Sequence, residues 1–276
     1  MNIKKIIKDY KSGKSLISIA KENHIGPIKV KIILKENKIK LRKHGETNRK
    51  FSFNERYFSQ INTHEKAYWL GFIYADGNIC KNRFTLTQKE SDILYDFLKS
   101  IKCTKDIVYK YKRATKWVKN DTYICNRINF HSKKFCDDLN KHGIYPNKSH
   151  RNDGIPKMKE SLKSSFIRGV FDGDGCISAN TSNPKHKNNI EFSILSCSKR
   201  MILDIQKTLM KSCDLKKTKL KSRNSKLSTI QDYSVIYCGG KQCKRIFDFI
   251  YKSPYPRLER KYIKFINFFN KNVTKS

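Results

Sequence analysis

The stretches YWLGFIYADGNI (68–79) and FIRGVFDGDGCI (166–177) carry the same pattern twice. Each is an apolar run with small residues at fixed places, closing on Asp-Gly. Gly71 and Ala75 in the first copy, and Gly169 and Gly173 in the second, are spaced four apart. That spacing puts both small residues on one helix face. Two such faces can approach until the backbones nearly touch, as small-xxx-small faces do elsewhere. Asp76 and Asp174 would then point at the same spot. An acid at the end of a helix is locally awkward, because the C-terminal end of the helix dipole disfavours negative charge. At ~4 Å and an effective dielectric of ~20, two bare carboxylates repel by roughly 4 kcal/mol. Either one acid is protonated or a cation sits between them. A hard, oxygen-seeking ion such as Mg²⁺ suits the position, with Mn²⁺ able to substitute. The plainer alternative is two unrelated helices that end in Gly turns.

Composition bounds the partner. The chain has 276 residues and a formal charge of +36, from 60 Lys and Arg against 24 Asp and Glu. A charge of that size predicts a polyanionic partner, most simply nucleic acid. Part of the lysine excess, together with abundant Asn and Ile, also matches coding from an AT-rich genome. With 38% hydrophobic and 12% aromatic residues the chain can still bury a core, which argues against wholesale disorder. Its nine cysteines form no CxxC pair and no Cys/His cluster at zinc spacing. They read as reduced thiols of an intracellular protein. Cys238 and Cys243 read as strand and helix residues rather than metal ligands. No stretch approaches the ~18 apolar residues of a membrane span. The start MNIKKIIKDYKSGK has no secretory h-region.

The front of the chain has its own punctuation. IKKIIKDY (3–10) reads as a helix that Gly13 breaks. SLISIAKEN (15–23) reads as a second helix with Ser15 as N-cap, and HIG (24–26) as a turn. Pro27 opens a third helix, which suits proline at the first helical position. Ala20, Ile25, Val30 and Ile33 are its expected core. Residues 1–43 therefore look like a helix-turn-helix of the resolvase or homeodomain-like type. In such units the second helix of the motif reads the major groove, which would turn Lys29, Lys31 and Lys35 to DNA. His24 stands where that turn usually has Gly. Residues 44–62 read as a linker, and Asn62 with Glu65 as the capping arrangement of the first motif helix.

GFIYADG (71–77) and GVFDGDG (169–175) resemble the paired motifs of the LAGLIDADG homing endonuclease family, and the resemblance extends over roughly residues 63–276. After each motif come a strand-like stretch and an apolar helix, at 84–98 and 192–206. A second strand-rich stretch and helix follow, at 123–139 and 233–250. The tail YPRLERKYIKFINFF (255–269) resembles the family's closing helix. The resemblance implies an α+β fold. Two pseudo-symmetric αββαββα repeats, 63–145 and 164–276, would be joined by a linker at 146–163. They would pack on the paired motif helices and present saddle-shaped antiparallel sheets. It implies that Asp76 and Asp174 hold the metal. Gln88 would position water, with Ser196 as its weaker counterpart, and Lys133 and Lys241 would lie beside the scissile phosphate. Tyr74 and Asp172 occupy a variable motif position. It also implies that the outward residues of the sheets read DNA. These would be Arg83, Lys110, Lys112, Arg113, Lys116 and Arg127 in the first repeat. In the second they would be Lys185, Lys187, Lys219, Lys221, Arg223 and Lys226.

The expected protein is thus a single-chain, monomeric endonuclease that cuts double-stranded DNA at a long asymmetric site. Met1 and the ending VTKS suggest a free-standing chain without splicing blocks. The alternatives are an intron maturase that binds RNA, and a non-catalytic DNA-binding regulator. A generic basic binder would leave the duplicated Asp-Gly helices unexplained.

Overall fold

Stops and starts near the N-terminus fix three short helices. The protein is described here by a computed structural model covering residues 2–42, 51–114, 122–148, 151–180, 189–224, 231–254 and 256–273. Helix α1 spans Ile3–Lys11, α2 Leu16–Glu22 and α3 Pro27–Glu36. Asn2 and Ser15 cap α1 and α2 by accepting from the backbone N–H groups of Lys5 and Ser18, each at 3.0 Å. Pro27 opens α3, where its missing N–H leaves no bond unmade. His24 takes a φ of +51°, so histidine does occupy the left-handed turn that glycine fills with least strain. The three helices close on Ile6, Tyr10, Ile19, Ala20, Val30, Ile33 and Leu34, with Ile25 packed at the margin. Arg42 ties the chain after α3 back to α1. Its backbone N–H donates to the Tyr10 hydroxyl at 2.7 Å, and its guanidinium lies 4.2 Å from that ring. This compact unit runs to Phe53, and a second begins at Asn54.

The second unit opens on aromatic packing. Tyr57 and Phe58, within the stretch expected to be linker, are buried. The Phe58 ring lies 5.3 Å from Phe135. Then α4 (His64–Asp76) leads directly into β1 (Gly77–Cys80), followed by β2 (Arg83–Gln88) and α5 (Asp92–Ser100). Next come β3 (Tyr109–Ala114), β4 (Thr122–His131) and α6 (Lys133–Lys141). The same order recurs as α7 (Lys163–Asp174), β5 (Gly175–Asn180), β6 (Asn189–Ser196) and α8 (Lys199–Cys213). It continues as β7 (Lys221–Asn224), β8 (Gln231–Cys238) and α9 (Gly240–Ile250), and α10 (Glu259–Val273) closes the chain. The cap of α4 is Thr63, whose Oγ1 accepts from Lys66 N at 3.2 Å. It is not Asn62 as expected, and Glu65 instead accepts from the Tyr57 hydroxyl at 2.5 Å.

A helix that is apolar all round must be buried all round. Every residue of α4 from Ala67 to Tyr74 is buried, as is every residue of α7 from Ser164 to Asp172. Their closeness is set by the glycines. A Cβ on Gly71 would overlap the Phe166 carbonyl, and one on Gly169 would overlap the Tyr68 carbonyl. A Cβ on Gly173 would run into Ala75 and stand 2.9 Å from Asp76 Oδ2. All four small residues expected at the interface are there.

Two antiparallel four-stranded sheets flank these helices, in the orders β1-β2-β4-β3 and β5-β6-β8-β7. Phe84, Leu86, Ile128 and Phe130 turn inward from the first sheet, and Phe192, Ile194, Val235 and Tyr237 from the second. The alternate residues form the opposite, open faces. The nine cysteines are free thiols; Cys243 is buried in α9 and Cys238 exposed at the end of β8. No helix among the described residues is long and apolar enough to cross a membrane.

Candidate functional site: paired carboxylates below two open sheets

Packing α4 against α7 brings Asp76 and Asp174 to one end of the helix pair. Gln88, buried at the end of β2, donates through Nε2 to Asp76 Oδ2 at 2.7 Å. Gln88, expected to position water, is thus placed against one of the two acids. Burial pushes the Asp76 carboxyl up, against the Gln88 hydrogen bond and the charges of Lys148 and Lys261. Burial also pushes Asp174 up, to about 7, and the charge of Asp76 adds to that push. Asp174 is crowded by protein yet keeps an exposed surface. Such a carboxylate can still reach something outside the protein. Ser196 does not repeat the role of Gln88. Its Oγ accepts from Ser198 N at 3.1 Å, at the start of α8. Tyr74 lies with its hydroxyl beside Ser196 and Ser198, and burial raises its pKa.

Two lysines answer the helix-end problem, and the sequence reading missed both. Lys148 Nζ donates to the carbonyls of Ile73, at 3.0 Å, and Gly77 at the end of α4. Lys261 Nζ donates to Phe171, Asp172 and Gly175 carbonyls at the end of α7, at 2.7, 2.8 and 2.6 Å. Ile73 and Phe171 hold the same motif position, as do Gly77 and Gly175. Each ammonium thus caps the same carbonyls of its own motif helix. This is the favourable charge at a helix C-terminus, placed under an acid. Burial pushes both lysines down to about 8, while Asp76 and Asp174 work to keep them charged. The overlooked signal was a Tyr-Pro pair shortly before each lysine, at 145–146 and 255–256. Lys148 stands in the stretch expected to be only a linker.

Asp172 is not part of this pocket. It is fully buried, accepting from Leu258 N at 2.7 Å and the Tyr68 hydroxyl at 2.9 Å. Burial raises it to about 6. It anchors the chain leading into α10.

Lys133 and Lys241 are not beside the acids, contrary to expectation. Gln88 pairs with Asn126 at the site end of the first sheet, while His131, just before Lys133, pairs with Arg83 five residues away. At ~3.3 Å per residue that is roughly 17 Å. Lys133 is instead exposed and paired with Asp137 at 3.3 Å. The second sheet places Lys241 the same way. Ser196 pairs with Tyr233 at the site end and Glu191 with Cys238 at the far end, and Lys241 follows as an exposed residue of α9. The expectation failed because a helix-opening lysine after a strand was assigned to the wrong end of that strand.

Register sorts the expected DNA-reading residues. Arg83 and Arg127 pair with His131 and Thr87 on the open face of the first sheet. Arg127 donates to Thr87 Oγ1 at 3.0 Å and lies 3.5 Å from the Tyr111 ring. Arg113 pairs in register with Tyr123. Lys110 and Lys112 do not share the open face, since they pair with Asn126 and Ile124 on the inward-facing register. Choosing lysines by composition ignored the strand's period of two. Lys221 and Arg223 pair with Ser234 and Asp232 on the open face of the second sheet, and Lys219 precedes β7. Lys116, Lys185, Lys187 and Lys226 lie outside the described residues. In the N-terminal unit Lys29, Lys31 and Lys35 are all exposed on α3. They flank Ile28 and Ile32, which are 75% and 49% exposed.

Neither a family model nor a curated protein matches the chain. Among solved structures it is similar to the homing endonuclease I-WcaI bound to its DNA recognition sequence. That likeness has a TM-score of 0.48 and 13% identity, covering 82% of this chain and 96% of the other. A likeness that distant assigns no function by itself, so the functional case rests on the site.

Proposed function

We propose that the protein is a metal-dependent endonuclease that cuts both strands of double-stranded DNA at a long asymmetric site. The observation that carries this reading is the pair of acids at the closed end of α4 and α7. Each stands over a buried lysine, and one is held by Gln88. Among the described residues no group of three or more His, Cys, Asp or Glu could hold a metal on its own. Two carboxylates still fit Mg²⁺ or Mn²⁺, because such ions commonly take one or two carboxylates and complete their shell with water and substrate phosphate. Asp76 and Asp174 would hold the ion, which when bound supplies an activated water and charge relief on the phosphate. Gln88 fixes the rotamer of Asp76. Lys148 and Lys261 keep positive charge beneath the carboxylates, which lowers the cost of bringing polyanionic DNA against two acids. The open faces of the two sheets, and α3 as the reading helix of a helix-turn-helix, would contact the duplex. The two repeats would act as a pseudo-symmetric pair in one chain.

The test is cleavage of a selected duplex with Mg²⁺, then with Asp76→Asn and Asp174→Asn. Each variant should lose double-strand cutting and keep DNA binding. Wild-type cutting rates in both single variants would sink the paired-acid mechanism. Specific binding without cutting under any divalent ion would favour the regulator reading instead.

A further inference from the structure

The two open faces are chemically unlike at equivalent register positions. Counting outward from the site, the second, fourth and sixth pairs of the first sheet are Thr87–Arg127, Thr85–Asn129 and Arg83–His131. In the second sheet they are Leu195–Ser234, Ser193–Ile236 and Glu191–Cys238. The first set holds two guanidiniums and no acid or aliphatic side chain. The second holds no cation, one carboxylate and two aliphatic side chains. Leu195 is 44% exposed, on a strand face that burial does not explain. Among the described residues Glu191 accepts a hydrogen bond from the Cys238 thiol, a weak donor, at 3.5 Å. In a chain with 60 basic and 24 acidic residues, a carboxylate on a face that meets phosphates works against affinity. It has a use if it meets a base edge.

We propose that Glu191 and Leu195 are the specificity-determining residues of the second half-site, Glu191 accepting from a cytosine amino group and Leu195 contacting a thymine methyl. In the major groove only cytosine N4 and adenine N6 offer donors, and carboxylates pair with cytosine; the thymine methyl is the groove's apolar feature. Arg83 and Arg127 at the equivalent faces of the first sheet are donors, suited to guanine or phosphate. Lys221 and Arg223 on the neighbouring strand β7 share the second open face and supply its phosphate contacts, which leaves the acceptor Glu191 and the apolar Leu195 on β6 to discriminate bases. Glu191 and Leu195 are four residues apart on β6. At ~3.3 Å per residue this spans about 13 Å, or about four base-pair steps of ~3.4 Å. Leu195 lies nearer the acids, so its base should be the one nearer the cut. This inference rests on the DNA-reading proposal above.

The experiment is selection of random-sequence duplexes by the full chain in EDTA, which keeps the DNA intact, followed by sequencing. Wild type should enrich an asymmetric site. One half should contain a required C·G pair and, about four steps nearer the centre, a required T·A pair. Glu191→Gln should lower the C preference about tenfold and leave every other position as it was. Glu191→Arg should shift that position towards guanine, and Leu195→Ala should relax only the thymine. Circular dichroism melts identify any variant that fails to fold; three exposed-face variants at two positions make a common folding failure separable from a reading defect. If wild type enriches an asymmetric site but all folded variants keep its preferences, this inference falls and the nuclease reading stands. A second copy of the chain bound through the Leu195 face would also overturn it. If wild type enriches no duplex, the DNA-reading proposal itself fails.

Discussion

At the residue scale, the decisive side chains are defined by what they touch. Asp172 shows how one motif position can leave the site for the core. It is fully buried, and burial raises its carboxyl to about 6 from the ordinary aspartate value of 3.8. A raised acid binds its proton in the folded state at a pH where the unfolded chain has lost it. Its contribution to stability is therefore full below pH 3.8 and is lost as pH rises to about 6. Wild type should lose stability relative to Asp172→Asn between those values, and urea denaturation across that range measures it. A flat difference would mean that the carboxyl titrates normally. Gly169 is the second residue-scale case. A Cβ there meets the Tyr68 carbonyl and the Phe72 N–H, both backbone, so no side chain can give way. Gly169→Ala should cost about 3 kcal/mol or more, or prevent folding. A loss under ~1 kcal/mol would mean that the helices can part cheaply.

At the element scale, α4 and α7 end in acids only because a lysine closes each helix from another segment. Lys261→Met would remove the ammonium from the Asp172 and Gly175 carbonyls and leave the Phe171 carbonyl with the Gly175 N–H alone. Unpaired buried acceptors cost about 1–3 kcal/mol each. The expected result is a lowered denaturation midpoint, together with impaired cutting even where the protein stays folded. Unchanged stability would show that water replaces the ammonium. The same elements show where sequence suffices. The doubled motif made the helix pair, its four small residues, Asp76 and Asp174 legible, because glycine spacing and Asp-Gly ends are local signals; Gln88 came only from the family resemblance, and its bond to Asp76 from the structure. The helical phase of residues 3–36 was legible from Ser15, Pro27 and the apolar positions. Lys148 and Lys261 were not read, because each acts far along the chain from the helix it caps and the Tyr-Pro pair before each does not by itself say which of so many lysines turns back to a helix end. Strand register was not legible either. One residue of slip exchanges the faces, which is why Lys110 and Lys112 were placed on the open side while Glu191 and Leu195 were passed over.

At the scale of the whole molecule, the arrangement predicts one chain for one DNA site. The open faces of the two sheets carry different residues, so a palindrome, with two identical halves, would suit at most one of them. Sedimentation of the complex should give a 1:1 ratio, and a stable dimer on a palindromic duplex would contradict the single-chain reading. The N-terminal unit then has a separable role. It has its own core, from Ile6 to Leu34, and ends at Phe53 before the second unit begins, so its removal leaves the acids and both sheets in place. If Lys29, Lys31 and Lys35 contact phosphates outside the central site, deleting residues 1–53 should weaken binding and shorten the footprint at one end only. The cut position, which the proposed mechanism assigns to Asp76 and Asp174, should not move. Each lost phosphate contact should reduce the slope of log affinity against log salt by about 0.9, so three lost contacts would flatten it by roughly 2.7. An unchanged footprint with an unchanged slope would assign this unit a task other than holding DNA, and the exposed lysines of α3 would be solvated surface.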